Sequence, residues 1–263
     1  MTPIVREPVP VTTRAPAGAT NAYVVGSDRA LLVDPADRTD ELDELVAGRS
    51  VEHVTVTHTH PDHTGAVRAY AEETDATVWC RRGRETRFAG ATGVEPDRTF
   101  AEGERIPVGG DDGGVTVLDM PGHAPDHVAF EGDFGVCCGD LAVAEGSVVV
   151  GAPEGNLRAY LVALRRLHAR DPSALYPGHG PVIDDPRATC ERLLRHRLDR
   201  ERSVLAAVDG GAADVDAVVD AAYGKDLTGV RDLARATVIA HVEKLDAEGR
   251  LRYDADTQCV EPV

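Results

Sequence analysis

The chain has 263 residues, of which 42% are hydrophobic, with a formal net charge of −17. That length allows one large domain or a large and a small one, and the apolar content excludes a disordered chain. The negative charge is spread along the sequence and argues against passive attraction to nucleic acid or an anionic membrane.

Lys225 and Lys244 are the only lysines, so the positive charge is almost all arginine. The five cysteines (Cys80, Cys137, Cys138, Cys190, Cys259) show no framework spacing, and adjacent Cys137 and Cys138 face opposite sides of a strand. These are read as reduced thiols in a cytoplasmic protein. The N-terminal residues show no basic start followed by an apolar run, hence no visible signal peptide, and no stretch is apolar for long enough to span a bilayer.

The first half alternates short β-branched runs with turn signals. Ala22–Val25 and Ala30–Asp34 flank Gly26-Ser27-Asp28 and predict a hairpin. Asp40–Ala47 reads as a helix with an acidic first turn. His53–Thr57 reads as a strand, His63–Thr74 as a helix and Ala76–Cys80 as the next strand, an α/β signature. From Arg105 the pattern turns to strands: Val115–Leu118, then His127–Glu131 and Phe134–Cys138 around the turn Gly132-Asp133. Asn156–Arg170 is amphipathic through Leu157, Leu161, Leu164 and Leu167, and Ala174–Tyr176 is a short strand. Beyond Pro186 the spacing predicts helices over Pro186–Ala207, Asp214–Tyr223 and Leu233–Ala247, then a hairpin of Leu251–Tyr253 with Gln258–Val260. Three helices and a hairpin predict a small winged-helix-like domain over 191–263, behind a larger domain over 1–190.

The chemistry centres on His58-Thr59-His60-Pro61-Asp62-His63. In an extended chain His58 and His60 face the same side, so both imidazoles can meet one cation. Pro61 breaks the extension, and Asp62 and His63 come off the turn toward a second position. Imidazole with carboxylate suits zinc, with iron or manganese as alternatives. Three more metal-competent residues follow a glycine near a strand end: His123 after Gly122, Asp140 after Gly139 and His179 after Gly178. His127, four residues beyond His123, reads equally as a residue that supports the metal ligands or faces substrate and as a structural one. His53, His168, His196 and His241 have no motif and read as surface or satisfied core. The clusters Arg81-Arg82-Gly83-Arg84 and Arg192 to Arg200 read as solvated faces with acidic partners.

In that order, His58, His60, Asp62, His63, His123, Asp140 and His179 resemble the metallo-β-lactamase superfamily, together with Asn21-Ala22-Tyr23 and Leu32-Val33-Asp34 near the start. Tyr176-Pro177-Gly178-His179-Gly180-Pro181 and the helical tail are most similar to its lactamase-beta-2-like branch. The resemblance spans residues 20 to about 185. It implies an αββα four-layer sandwich of the α+β kind with two divalent metals at one sheet edge. By that match His58, His60 and His123 hold the first metal, Asp62, His63 and His179 the second, and Asp140 bridges. Asp62 and Asp140 are the candidate catalytic carboxylates, Asp62 as a ligand that can also orient the attacking water. Such a site acidifies water to a pKa of about 7.

The family hosts many reactions, so three functions compete. The lactamase-beta-2-like resemblance suggests hydrolysis of single-stranded RNA or another phosphodiester. A thioesterase of the glyoxalase II type is the alternative, although His179 is followed by Gly180-Pro181 and not by that branch's Glu. A non-enzymatic winged-helix regulator would be expected to lose metal positions, and none is lost. Residues 193–263 carry 10 Lys/Arg against 14 Asp/Glu, which is no basic platform for RNA. The expected partners are a small-molecule or single-stranded nucleic-acid substrate and a second copy of the chain in a homodimer, with no membrane.

Scattered acid, few lysines and few aromatics also resemble proteins of salt-accumulating halophiles. Lowering ionic strength from 1 M to 0.1 M lengthens the Debye screen from about 3 Å to about 10 Å, so carboxylates come to repel neighbours that salt had hidden. The melting temperature is therefore expected to fall on dialysis from molar KCl to dilute buffer; a constant or rising value rejects the halophilic reading.

Overall fold

The computed structural model describes residues 1–110, 113–224 and 226–263. They form two compact units: one of Met1–Met120, Asp126–Gly146 and Arg170–Thr189, the other of Pro121–Pro125, Ser147–Ala169 and Cys190–Val263.

The first unit holds two sheets. Strands β1 (Ile4–Pro10), β2 (Ala19–Val25), β3 (Ala30–Val33), β4 (Val51–Thr55), β5 (Thr77–Arg81) and β6 (Arg98–Phe100) lie side by side in chain order. The first two pairings are antiparallel and the rest parallel. The prolines of β1, Pro8 and Pro10, sit on the sheet edge, where a missing N–H costs no ladder bond. Strands β7 (Arg105–Ile106), β8 (Val115–Asp119), β9 (Val128–Gly132), β10 (Gly135–Gly139) and β11 (Leu175–Pro177) form the second sheet, antiparallel except for the β10–β11 pair.

Both faces of the first sheet are buried, which is why its strands read as continuous apolar runs. Alternate residues divide between two cores. Ala22, Val24, Leu32, Val54 and Val78 pack with Leu42 and Val46 of α1 (Asp40–Ala47), Val67 and Tyr70 of α3 (Val67–Thr74) and Phe88 of α4 (Glu85–Thr92). Tyr23, Val25, Leu31, Val33 and Trp79 instead meet Ile106, Val117, Val128, Phe130 and Cys137 between the sheets. The helix α1 starts on Thr39, whose hydroxyl accepts from the Leu42 N–H at 3.1 Å.

The predicted helix over His63–Thr74 is two pieces, α2 (Pro61–Thr64) and α3. The break falls at Gly65, where a Cβ would come 2.4 Å from the Ala36 carbonyl oxygen, and the Ala66 N–H donates to the Pro35 carbonyl at 2.9 Å. A tertiary contact at that point overrides local propensity. Strands β1, β6 and β7 and helix α4 carry too little periodicity to be read from sequence.

In the second unit, α6 (Pro186–Asp209), which begins in the first, α7 (Val215–Ala222) and α8 (Arg231–Ala247) precede the hairpin β12 (Leu251–Tyr253) and β13 (Val260–Pro262). Val204, Val208, Val218, Val219, Val238, Val242 and Leu245 make their common core. Helix α5 (Leu157–Arg170) buries Leu157, Leu161, Leu164 and Leu167, the stripe its periodicity predicts. Lys244 of α8 contacts Glu201 of α6 at 2.6 Å with both side chains less than 10% exposed, while Arg250 holds the other Glu201 oxygen at 2.8 Å. Glu201 thus joins α6 to the end of α8 through two cations.

Two sequence expectations change. Arg81 and Arg82 do have acidic partners, Asp119 and Glu104. Arg197 and Arg200 of the other cluster instead donate to the carbonyls of Val148 and Ala222 and lie over the rings of Tyr160 and Tyr223. His241, expected on the surface or satisfied, is fully buried with neither ring nitrogen hydrogen-bonded among the described residues.

Burial, then the charges of Arg197, Arg200 and Lys244, hold the His241 pKa down at about 3. An unfolded chain protonates this imidazole near pH 6.5, so it binds more protons than the fold between there and about pH 3. Stability should fall with acid in that window, by at most about 1.4 kcal/mol per pH unit from this residue. His241→Gln is expected to flatten the slope in denaturant titrations from pH 7 to 4; an identical slope contradicts the burial argument.

Candidate metal centre

Asp34 directly follows β3 and sits in the left-handed region with φ of 53°, fully buried. Its backbone N–H donates to the Thr55 carbonyl at 3.1 Å, continuing the parallel pairing of β3 with β4. The carboxylate takes three bonds: the Thr57 N–H donates at 2.6 Å, the Thr57 hydroxyl at 2.8 Å and His63 Nδ1 at 3.0 Å. Because the Thr57 hydroxyl donates to Asp34, it accepts from His58 Nδ1 at 3.1 Å. One buried anion thus fixes the proton on Nδ1 of both His58 and His63, so that each Nε2 carries the lone pair.

His179 reaches the same state by another route. Its Nδ1 donates to the Ala19 carbonyl at 2.9 Å. The loop that carries it is strapped to β1 and β2. Asn21 donates its side-chain amide to the carbonyls of Pro177 and Gly180, each at 2.8 Å, and its N–H to that of Gly178 at 2.8 Å. The Tyr23 hydroxyl donates to the Pro177 carbonyl at 2.6 Å and Arg6 to that of Gly180 at 2.8 Å. These contacts give a physical reason for Asn21-Ala22-Tyr23, which the sequence offers only as a family likeness.

The side chains converge. His63 Nε2 lies 3.7 Å from Asp140 Oδ1, and His179 Nε2 lies 3.4 Å from Asp140 Oδ2 and 3.6 Å from Asp62 Oδ2. His58 Nε2 is 3.0 Å from His60 Nδ1. Donor atoms of His58, His63 and Asp140, and of Asp62, His63 and His179, fall within 4.8 Å of one another. The Asp62 carboxylate is steadied by the Thr13 hydroxyl, which donates to Oδ2 at 2.6 Å. His127 is buried, and its Nε2 accepts the Asp140 N–H at 3.0 Å, so it sets the backbone that presents Asp140. His123 belongs to the second unit, where its Nδ1 donates to the Val149 carbonyl at 2.7 Å, again leaving Nε2 as the offered atom.

The residues fit a cation. His63 Nε2 is buried with no hydrogen-bond partner among the described residues and faces a carboxylate beyond hydrogen-bond reach. Burial lowers the His63 pKa, but the charge and hydrogen bond of Asp34, with Asp140 and Asp62 beyond, outweigh it and raise the value. His179 is likewise lowered by burial, and Asp140 with the Ala19 carbonyl and Asp62 carries it up to about 9. Carboxylates arranged this way favour a positive charge between them, and a cation bound there displaces a proton.

Two glycines are required by space. Gly139 has φ of 48°, and a Cβ there would lie 2.6 Å from Thr57 Oγ1 and 2.8 Å from His127 Nε2. A Cβ on Gly178 would lie 2.4 Å from Asp140 Oδ1 and 2.8 Å from His63 Cε1. Sequence reasoning found these glycines beside metal-competent residues but passed over Asp34, Thr57 and Thr13 as site residues. The available signal for Asp34 and Thr57 was their place at the C-terminal ends of adjacent strands.

Residues 15–179 match the model of the metallo-beta-lactamase superfamily, and the chain belongs to that family of metal-dependent hydrolases. Among curated relatives, a beta-lactamase-like protein 2 homolog of Drosophila melanogaster is 28% identical over 89% of this chain and 84% of its own. An atrochrysone carboxyl ACP thioesterase of Aspergillus fumigatus is 29% identical over 89% of this chain, which spans 58% of that protein. The crystal structure of a metallo-beta-lactamase family protein from Thermus thermophilus superposes with a TM-score of 0.79 over 99% of this chain and 98% of that one, at 23% identity.

Gly178→Ala is expected to force apart Asp140 and His63. Overpacking of this kind costs about 1–3 kcal/mol, and bound metal per chain should drop below that of the parent. Full metal content in a variant as stable as the parent contradicts the packing described.

Proposed function

We propose that the protein is a binuclear metal-dependent hydrolase of a carbonyl ester or thioester. The observation that carries this reading is the convergence of His63, His179, Asp62 and Asp140, with the histidine Nε2 atoms all left available by hydrogen bonds on Nδ1. His58, His60 and His123 would hold one cation, Asp62, His63 and His179 the other, with Asp140 shared. Zinc suits the set, as would iron or manganese. Bound there, two such cations would supply Lewis acidity and lower the pKa of a water to about 7.

The chain's own groups do the remaining work. Asp34 orients His63 directly and His58 through the Thr57 hydroxyl. His127 holds the Asp140 backbone, and Thr13 fixes the Asp62 carboxylate. Asp62 and Asp140 are the carboxylates placed to orient a water and to accept its proton. The thioesterase relative supports a carbonyl substrate, as does the overall charge of −17, which repels a polyanion at low salt. The second reading is hydrolysis of single-stranded RNA or another phosphodiester. It rests on the lactamase-beta-2-like resemblance, which the beta-lactamase-like protein 2 relative supports.

For residues 191–263 we keep the winged-helix reading, supported by helices α6, α7 and α8 followed by a hairpin. Its role there would be substrate shaping or dimerisation, in a cytoplasmic enzyme. No helix among the described residues is long and apolar enough to cross a membrane.

The test is a substrate panel in high salt: an acyl thioester, a small chromogenic ester, a β-lactam, a chromogenic phosphodiester and single-stranded RNA. Each is assayed with added zinc, with EDTA and with Asp140→Ala. Thioester or ester turnover that needs metal, and falls by a factor on the order of 100 or more in the variant, is expected. Metal-dependent cleavage of RNA alone moves the assignment to the second reading. Full activity in EDTA removes the metal mechanism.

A further inference from the structure

Thr59 stands between His58 and His60, and its side chain is bound on both sides. Its hydroxyl donates to Asp126 Oδ2 at 2.7 Å and accepts from Arg87 Nε at 2.7 Å. Arg87 Nε also lies 3.3 Å from Asp126 Oδ1. The Asp126 side chain is 4% exposed and that of Arg87 29% exposed, so the pair is partly shielded and Thr59, itself buried, is held between opposite charges. A threonine hydroxyl used as donor and acceptor together has one rotamer that satisfies both partners. Fixing that rotamer fixes the backbone on either side of it.

That backbone carries His58 and His60, whose Nε2 and Nδ1 atoms approach to 3.0 Å. His58 is oriented on its other side by the Thr57 hydroxyl, 3.1 Å from its Nδ1. The partners come from distant places in the sequence, Arg87 from α4 and Asp126 from the residues before β9. The arrangement has a charge balance of its own, one guanidinium and one carboxylate, and adds none of either to the metal-facing side.

We infer that Arg87, Thr59 and Asp126 form a positioning clamp that sets the spacing of His58 and His60, and through it the affinity for the metal those two residues hold. The inference rests on the metal-dependent reading above. None of the three residues is assigned contact with metal or substrate; they act through the histidines. Losses of supporting hydrogen bonds of this kind weaken metal binding by about 10–100-fold.

The experiment titrates zinc into metal-free full-length protein against a chromophoric chelator, for the parent, Thr59→Ser, Thr59→Val and Arg87→Gln. Melting temperatures in EDTA are read alongside. Thr59→Val keeps the shape and removes the hydroxyl, whereas Thr59→Ser keeps the hydroxyl. The expected result is weaker binding of one of two zinc ions in Thr59→Val and Arg87→Gln, by roughly 10–100-fold, with Thr59→Ser at parental affinity and metal-free melting temperatures close to the parent. At saturating zinc, KM should stay parental. Parental zinc affinity in Thr59→Val and Arg87→Gln overturns the clamp, as does Thr59→Ser binding as weakly as Thr59→Val. A raised KM in Arg87→Gln with unchanged zinc affinity also overturns it, because Arg87 would then be a substrate contact. If Thr59→Val does not fold, Arg87→Gln and Thr59→Ser decide the matter. A parent that binds no zinc here, and neither iron(II) nor manganese in parallel titrations, removes the metal-dependent reading itself, whereas parental binding with unaffected variants removes the clamp alone.

Discussion

The Asp34 carboxylate is the constraint on which the site depends. It is fully buried, and a buried anion is tolerated only when its oxygens find hydrogen-bond donors. Here the donors are the Thr57 N–H, the Thr57 hydroxyl and His63 Nδ1. The same three bonds that satisfy Asp34 join the end of β3 to the end of β4 and select the tautomer of His63, and through Thr57 that of His58. Fold stability and metal-ligand chemistry are here one set of hydrogen bonds.

Around that anion the site is assembled from strand ends and the loops beyond them. Each loop is tied by backbone carbonyls rather than by its own secondary structure. Asn21, Tyr23 and Arg6 hold the loop of His179, and His127 holds the N–H of Asp140. Glycine at 139 and 178 lets the backbone come close enough that no side-chain atom intervenes between Asp140, His63 and Thr57. The result is a patch of negative potential that raises the pKa of His63 and of His179 and favours positive charge between the carboxylates, so that a cation bound there displaces protons.

The helical unit obeys different electrostatics. Its cations are met by carbonyls and aromatic faces at the buried Arg197 and the half-buried Arg200, and by the buried Glu201 at Lys244. His241 remains neutral among them. In a chain with a net charge of −17, this cluster is a local gathering of positive charge.

The sequence by itself determined the elements with strong periodicity and the residues with metal chemistry. The hairpin around Gly26-Ser27-Asp28, the leucine stripe of α5 and the three terminal helices follow from local patterning, because burial on one face repeats at a fixed interval. The motif His58 to His63 is legible because four metal-competent side chains in six residues have few other uses. What only the tertiary structure decided are the partners that lie far apart in the chain. Asp34 was visible as the last residue of a strand, but its bond to His63 depends on the parallel register of β3 and β4. Thr59 looked like a spacer between two histidines until Arg87 and Asp126 came to meet it. The break at Gly65 and the isolation of His241 likewise come from contacts that no local pattern encodes. Hydrogen bonds between residues distant in sequence leave no periodic trace, so the atoms that tune this site emerge only when the strands are laid side by side.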